Sequence, residues 1–260
     1  MKVRIKFRKY GSMKFIGHLD MMRYFQKAMR RADIDISYTK GYSPHQVMSF
    51  AAPLGVGVTS DGEYLDIEVN SLSLSSEAEL SNEAESSNDL TLKLLPPSRE
   101  VLHALCALNA VMANGIEVLS LTPLPDSSAH AMSQVVAADY QVIWNREEVF
   151  PYAFADLEKA LTVYWEDSEE ILVTKKTKKG ERIMDLKPLI YELKATKTKD
   201  ELPALFMKLS TGSTDNVKPE LVLDSLFQNG TCRTEDFRIH RLEVYAKNED
   251  AFIPLSEAGK

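Results

Sequence analysis

Four basic side chains occupy alternate positions at the start of the sequence: Lys2, Arg4, Lys6 and Arg8. The residues between them are apolar, so in a β-strand the four cations share one face at intervals of about 6.6 Å. Cations at that interval can pair with successive phosphates of an extended nucleic-acid strand. The pattern predicts an RNA-binding strand on an open sheet face. The alternative is a solvated edge strand that its lysines protect from aggregation.

Acid–base chemistry is available close to this strand. His18 lies in a sharp turn near Tyr10 and Lys14, and His45 lies between a second turn and a strand. A histidine beside such groups can act as general acid or base at neutral pH, for example in cleaving RNA at a 2′-hydroxyl. The catalytic candidates are therefore His18, His45 and Tyr10, with no metal. The alternative is that both histidines are polar turn residues that hydrogen-bond the backbone.

Two further turns could contact RNA. Tyr42, in the turn that ends at His45, could stack on a base while cations hold the phosphates. A predicted hairpin in the second half of the chain contains five basic residues: Lys175, Lys176, Lys178, Lys179 and Arg182. Their long side chains could reach a phosphate or an acidic partner, and a solubilising hairpin tip is the alternative.

The common catalytic motifs GxSxG, HExxH, GxGxxG and CxxC are absent from the sequence. Segment 209–216 is rich in Ser, Thr and Gly and precedes a helix, but it lacks the order of a phosphate-binding P-loop, so we interpret it as a helix cap. The motifs do not decide whether the protein is an enzyme. They favour a non-catalytic accessory protein without a cofactor or a metal.

The composition excludes several classes of protein. The 260 residues are 44% hydrophobic and 27% charged, as in ordinary globular proteins. No apolar run approaches the roughly 20 residues of a membrane-spanning helix, and the charged start does not resemble a signal peptide. Only Cys106 and Cys232 are present, which argues against a disulfide scaffold and indicates a cytoplasmic protein.

The net charge of −7 is unevenly distributed along the chain. Residues 1–50 contain eleven basic and three acidic residues, whereas residues 51–100 contain two basic and ten acidic ones. Much of the acidic block lies in the Ser- and Glu-rich segment 70–90, which we expect to be a flexible surface insertion. Charge in blocks predicts a directed surface field, with one part suited to phosphate.

Hydrophobic periodicity predicts the elements that must position these residues. The first half reads as strands over 2–8, 63–69, 90–95 and 116–121, helices over 17–32 and 99–113, and a hairpin turn at Asp61-Gly62. The second half reads as strands over 138–144, 205–209 and 237–246, helices over 151–164 and 219–227, and a hairpin over 171–186. This repeated order predicts an α+β fold of two tandem ferredoxin-like (βαββαβ) domains with antiparallel sheets, over residues 1–125 and 136–260.

Seven short segments resemble one known family. They are FIGHLD at 15–20, AMRRA at 28–32, GYSPH at 41–45, SFAAPLGVGV at 49–58, EYLDI at 63–67, KKG at 178–180 and DLKP at 185–188. Together they resemble the radical-SAM-linked family of unknown function, DUF2344, over most of the chain except residues 70–90. The resemblance implies a separately encoded radical SAM protein as partner, with this chain as its companion.

A more distant resemblance concerns the fold. A ferredoxin-like pair with a histidine at its first helix is similar to the RAMP superfamily of CRISPR repeat-processing endoribonucleases. That resemblance implies a catalytic role for Tyr10, His18 and Lys14 by rough position, but the superfamily's glycine-rich loop near the C-terminus is absent.

The sequence thus predicts an accessory protein of radical SAM-dependent RNA or ribosome modification. It would bind tRNA, rRNA or a ribosome-related RNA through the basic strand, the Tyr42–His45 turn and the basic hairpin. Two alternatives stay open. One is a metal-independent endoribonuclease, and the other is a protein module that docks the radical SAM enzyme through acidic residues within 61–89.

Overall fold

The computed structural model describes residues 1–72, 98–177, 180–212, 215–228 and 230–259. The predicted strand over 90–95, most of the acidic insertion, and Lys178 with Lys179 lie outside these ranges. Among the helices within them, none has both the length and the apolar character needed to cross a membrane.

The first half of the chain alternates strands and helices. Its elements are β1 (Lys2–Lys9), α1 (His18–Arg31), β2 (Asp35–Ile36), β3 (Met48–Phe50), β4 (Thr59–Ser71), α2 (Arg99–Val111) and β5 (Ile116–Leu124). A 3₁₀ turn over Gly11–Phe15 connects β1 to α1. The side chain of Ser98 caps α2 by accepting a hydrogen bond from the backbone N–H of Val101, which satisfies one of the free donors of the first turn.

The second half is similar in order and has additional elements. They are α3 (Ala131–Gln134), β6 (Val135–Trp144), α4 (Phe154–Leu161), β7 (Leu172–Thr177), β8 (Gly180–Asp185), β9 (Ile190–Lys197), β10 (Pro203–Ser210), α5 (Pro219–Leu226), β11 (Phe237–Asn248) and β12 (Ala251–Pro254). Sequence periodicity missed β9. Its buried Ile190 and Leu193 are three residues apart because the β9–β10 register shifts between them, which breaks the alternation of a regular strand.

All described strands except β7 and β8 form one sheet in the order β5-β1-β4-β11-β6-β10-β9. On the side of β4 that faces away from β1, three strands pair with it in turn along its length. From the start of β4 to its end they are β11, β3 and β2. Its pairing with β11 is parallel and the other pairings are antiparallel. The α+β class is confirmed, but the two halves share one mixed sheet where two separate antiparallel sheets were expected.

The predicted hairpin over 171–186 exists, but it lies apart from this sheet. Strands β7 and β8 pair only with each other. The strand that joins the sheet after α4 is therefore β9, and the strand order of the second half is β11-β6-β10-β9. The first half has the corresponding order β5-β1-β4-β3.

The predicted alternation of β1 correctly identifies its buried face. Val3, Ile5 and Phe7 are almost completely buried, and they belong to the core cluster that α1 and α2 join through Phe25 and Leu108. The face of α1 that packs on the sheet includes Met21 and Ala28, which are buried, whereas Leu19 is 66% exposed. The helix thus packs on β1 by a face centred on Phe25.

The Asp61-Gly62 hairpin turn was predicted wrongly. Both residues lie inside β4, which continues without a turn from Thr59 to Ser71. A Cβ atom at Gly62 would lie 2.7 Å from both the Cα of Glu243 and the carbonyl oxygen of Leu242. Gly62 is therefore a point of close backbone approach between β4 and β11.

We expect the substitution Gly62→Ala to lower the free energy of unfolding by about 1–3 kcal/mol, because the new Cβ must push two backbone segments apart. Gly55→Ala is the matched control, since a Cβ atom at Gly55 would meet only the Val58 side chain, at an ordinary contact distance of 3.7 Å. Urea unfolding of both variants measures the effect. Equal stability of the two variants would contradict the close approach.

The two cysteines allow a test of the core, because they differ in exposure. Cys106 is exposed and Cys232 is buried, and burial raises the pKa of the Cys232 thiol to about 11. Because the thiolate is the reactive form, alkylation of the folded protein at pH 8 should modify Cys106 alone. Mass spectrometry before and after addition of urea measures this. Rapid modification of Cys232 in the folded chain would be inconsistent with the core described here.

Candidate functional site

Arg4 does not lie on an open face, so its predicted role as a phosphate contact is wrong. Its side chain is 1% exposed and donates two hydrogen bonds to the Asp66 carboxylate, at 2.7 and 3.0 Å. The carbonyl oxygens of Leu255 and Ala258 each accept a further bond at 2.8 Å. Arg4 is therefore a buried structural cation that anchors the end of the chain to β1 and β4.

The other three cations of the alternating set, Lys2, Lys6 and Arg8, also have partners within the protein. The Lys2 ammonium donates to the carbonyl oxygen of Ser128 at 2.8 Å, and the Lys6 ammonium lies 2.6 Å from a Glu243 carboxylate oxygen. Arg8 donates to the Asp61 carboxylate. The strand predicted to bind RNA instead pairs these cations internally, and Arg8 also lines a groove.

We expect Arg4→Met to destabilise the fold by about 3–5 kcal/mol, because the variant leaves the Asp66 carboxylate buried without its counter-ion. The matched control is Arg23→Met on α1, where an exposed pair with Asp20 spans 3.1 Å. That pair should contribute less than about 0.5 kcal/mol. Urea unfolding distinguishes the two, and similar small losses for both would show that Arg4 is not a structural cation.

A wide groove of about 730 Å³ lies where β1, the 3₁₀ turn and β11 meet. Three cations line it: Arg8, Lys14 and Arg238. Among the described residues, neither Lys14 nor Arg238 forms an ion pair. The groove therefore has two positive charges that no acidic side chain neutralises within those residues.

Aromatic rings accompany these cations. Tyr10 and Phe15 are 38% and 64% exposed and line the same groove. The Lys14 ammonium lies 5.0 Å from the centroid of the Phe15 ring, and the Arg8 guanidinium lies 5.6 Å from that of Tyr10. Interleaved cations and exposed rings are the combination with which proteins hold single-stranded nucleic acids.

A hydrogen-bonded chain forms the floor of the groove. Asp61 accepts from Arg8, and its other carboxylate oxygen lies 3.3 Å from Nε2 of His240, whose Nδ1 lies 2.8 Å from the Thr59 hydroxyl. Burial works to raise the pKa of Asp61, but the hydrogen bond from Arg8 and the attraction of His240 outweigh it and hold that pKa below its usual value. Both ring nitrogens of His240 are engaged, so this histidine holds the groove wall in position.

The groove continues onto the sheet face opposite the helices of the second half. Tyr140, Val142, Leu205 and Met207 belong to the core, so the alternating residues of β6 and β10 point to the other face. Cross-strand pairing forms one row of side chains on that face: His240, Gln141, Phe206 and Lys194. Arg238 begins the adjacent row. The face thus combines cations, an amide and one half-buried ring.

The predicted catalytic residues do not converge. Tyr10 and Lys14 line the groove, whereas His18 lies on the helix side, where its ring meets that of Phe50 edge-on at 5.2 Å. His45 is exposed in a separate loop, where its backbone N–H donates to the Thr39 hydroxyl. Within the described ranges, no three His, Cys, Asp or Glu side chains gather as metal ligands.

The remaining predicted RNA contacts that the structure describes lie away from the groove. Tyr42 is fully exposed in the loop that contains His45 and does not line the groove. Lys175 and Arg182 face each other across the β7–β8 hairpin, and the Lys175 ammonium donates to the carbonyl oxygen of Asn216. Lys176 belongs to β7, and Lys178 and Lys179 lie outside the described residues.

A second cavity, of about 250 Å³, lies on the helix side between segment 51–58 and the start of α5. Its wall includes Arg241, which is 2% exposed and donates to both carboxylate oxygens of Glu63 and to the carbonyl oxygen of Ala52. Burial lowers the pKa of Arg241, but the Glu63 carboxylate outweighs this effect and raises it above its usual value. The arrangement fixes segment 51–58 against β11.

Sequence reasoning missed Gln141, Phe206, Arg238 and His240. Each lies in a predicted strand, and the signal that could have found them is the polar half of the alternation. In β11, Arg238 and His240 alternate with the buried Phe237, Ile239 and Arg241. This pattern of cationic residues alternating with buried residues matches that of β1.

The fold and the groove define an α+β protein with a cationic, aromatic surface on one sheet face. The family model "Uncharacterized protein conserved in bacteria (DUF2344)" matches residues 2–92 and 77–219. The chain therefore belongs to this family. The matches include segment 70–90, which the resemblance inferred from short motifs left out.

Comparisons beyond the family add little. No curated protein matches the chain. A chain in the solved "Crystal Structure of a Cbf5-Nop10-Gar1 Complex" is similar with a TM-score of 0.45 and 9% sequence identity, over 95% of this chain and 50% of that chain. This chain thus spans half the length of that one, and a likeness at this level carries no argument about function.

Proposed function

We propose that this protein is an RNA-binding accessory protein that holds a single strand in the groove between β1, the 3₁₀ turn and β11. The observation that carries the proposal is the grouping of Lys14 and Arg238 with the exposed rings of Tyr10 and Phe15. The cations would meet phosphates, and the rings would stack on bases without selecting a sequence.

The adjoining sheet face extends this surface. In four-stranded sheets with helices on one face, aromatic side chains of the open face stack on two or three bases of single-stranded RNA. Phe206 lies on the corresponding face of β10, beside Gln141 on β6. We propose that the strand runs from the groove across the row that ends at Lys194.

The proposed binding surface depends on the architecture of the two halves. We propose that residues 1–125 and 136–260 are two ferredoxin-like units, which the matching strand orders β5-β1-β4-β3 and β11-β6-β10-β9 support. In the first unit the sheet face opposite the helices carries the buried Arg4 and the end of the chain. The second unit would therefore supply the sheet face for RNA.

The wider role follows from the family resemblance rather than from the geometry. We propose a cytoplasmic companion of a radical SAM protein, which would supply the chemistry while this chain presents the RNA. A nuclease is less well supported, because Tyr10 and His18 line different cavities and both nitrogens of His240 already have partners.

A charge reversal in the groove tests the proposal. We expect the double variant Lys14→Glu/Arg238→Glu to weaken binding of a fluorescent single-stranded RNA by about tenfold or more, because two charge-assisted contacts become repulsive. The slope of log K against log salt should also become shallower by about 1.4, the loss of two phosphate contacts. Fluorescence anisotropy at several salt concentrations measures both.

The control is Lys27→Glu/Arg30→Glu, which changes the net charge equally on the exposed back of α1. If both double variants weaken binding to the same degree, attraction to the whole protein explains it and the groove is not the site. If the wild-type protein binds no RNA at low salt, the proposed function is wrong.

A further inference from the structure

One side chain on the proposed RNA surface can distinguish bases. Gln141 lies in β6 between the buried Tyr140 and Val142, so strand alternation turns its amide to the face opposite the helices. Within the described chain this amide has no hydrogen-bond partner, although it is only partly exposed. A primary amide has donors beside an acceptor on one planar edge, which is the arrangement that pairs with the edge of a base.

The neighbours of Gln141 define where a base would lie. Phe206 of β10 and His240 of β11 are its direct cross-strand partners, and such partners have Cβ atoms about 4.5–5.5 Å apart on the same face. The Phe206 ring is half-buried, and the Lys194 ammonium lies 4.8 Å from its centroid. The same ammonium is paired with Glu192 at 2.5 Å, so a base stacked on this ring would take the place of the ammonium while that ion pair stays on the strand.

We infer that Gln141 is a specificity-determining residue and that it reads the edge carrying N7 and N6 of an adenine stacked on Phe206. This inference rests on the proposed RNA-binding function. On this edge adenine presents the N7 acceptor beside the N6 amino donor, which match the donor and the acceptor of the amide. Guanine presents two acceptors, N7 and O6, on the corresponding major-groove edge, and the amide can satisfy only one of them.

The contacts of the neighbouring side chains explain why Gln141, and not its neighbours, would determine the preference for adenine. Both ring nitrogens of His240 are engaged with Thr59 and Asp61, and the Lys194 ammonium is engaged with Glu192 and has no acceptor for a base edge. Gln141 is therefore the member of this row that has an uncommitted donor and acceptor for a base edge.

The experiment compares four nine-nucleotide RNAs that consist of uridine except for one central position, which is A, G, C or U. We expect the wild-type protein to bind the RNA with central A about 5- to 100-fold more tightly than that with central G. In Gln141→Met, which keeps the length of the side chain but has no amide, this preference should disappear. Affinity for the all-uridine RNA should change less than threefold.

Gln26→Met on α1 is the matched control and should retain the wild-type preference. Three results would overturn the inference while leaving the proposed function intact. They are equal binding of all four RNAs, a preference for another base, and an adenine preference that survives in Gln141→Met. If the wild-type protein binds none of the four RNAs at low salt, the proposed function and this inference fail together.

Discussion

Strand β4 carries two carboxylates that the fold buries, and each needs a cation from a distant part of the chain. Asp66 takes Arg4 from β1, and Glu63 takes Arg241 from β11. Removing one member of such a pair leaves an unpaired charge away from water, which costs far more than an exposed ion pair gains. These two pairs therefore select the position of β4 between its neighbours, at the junction where both halves of the chain share one sheet.

The same constraint decides which surface is available for binding. Because Arg4 also holds the carbonyl oxygens of Leu255 and Ala258, the last residues of the chain lie against the β1 face. Of the three cations that line the groove, Lys14 in the turn after β1 and Arg238 on β11 are the two without an acidic partner among the described residues. Alternating cations thus stabilise the fold in β1, whereas in β11 we propose that they bind RNA.

Gly62 shows how closely the halves are joined, and it also shows why local signals mislead. An Asp-Gly pair favours a hairpin turn in a short peptide, yet here it lies within a strand, because β11 approaches so closely that only a glycine fits. The consequence is a groove with one wall from each half. Its Arg8–Asp61–His240–Thr59 chain links β1, β4 and β11.

The sequence by itself determined the α+β class, the buried face of β1, most of the helices, and the family, because periodicity and short motifs are local properties. It also placed Tyr10, Lys14 and Arg8 among the residues of interest. Only the tertiary structure decided that Arg4 is buried, that His18 and Tyr10 lie apart, and that Gln141, Phe206 and Arg238 share a surface. Cross-strand neighbours are distant in sequence, and whether a cation meets a carboxylate or solvent depends on which strand packs beside it.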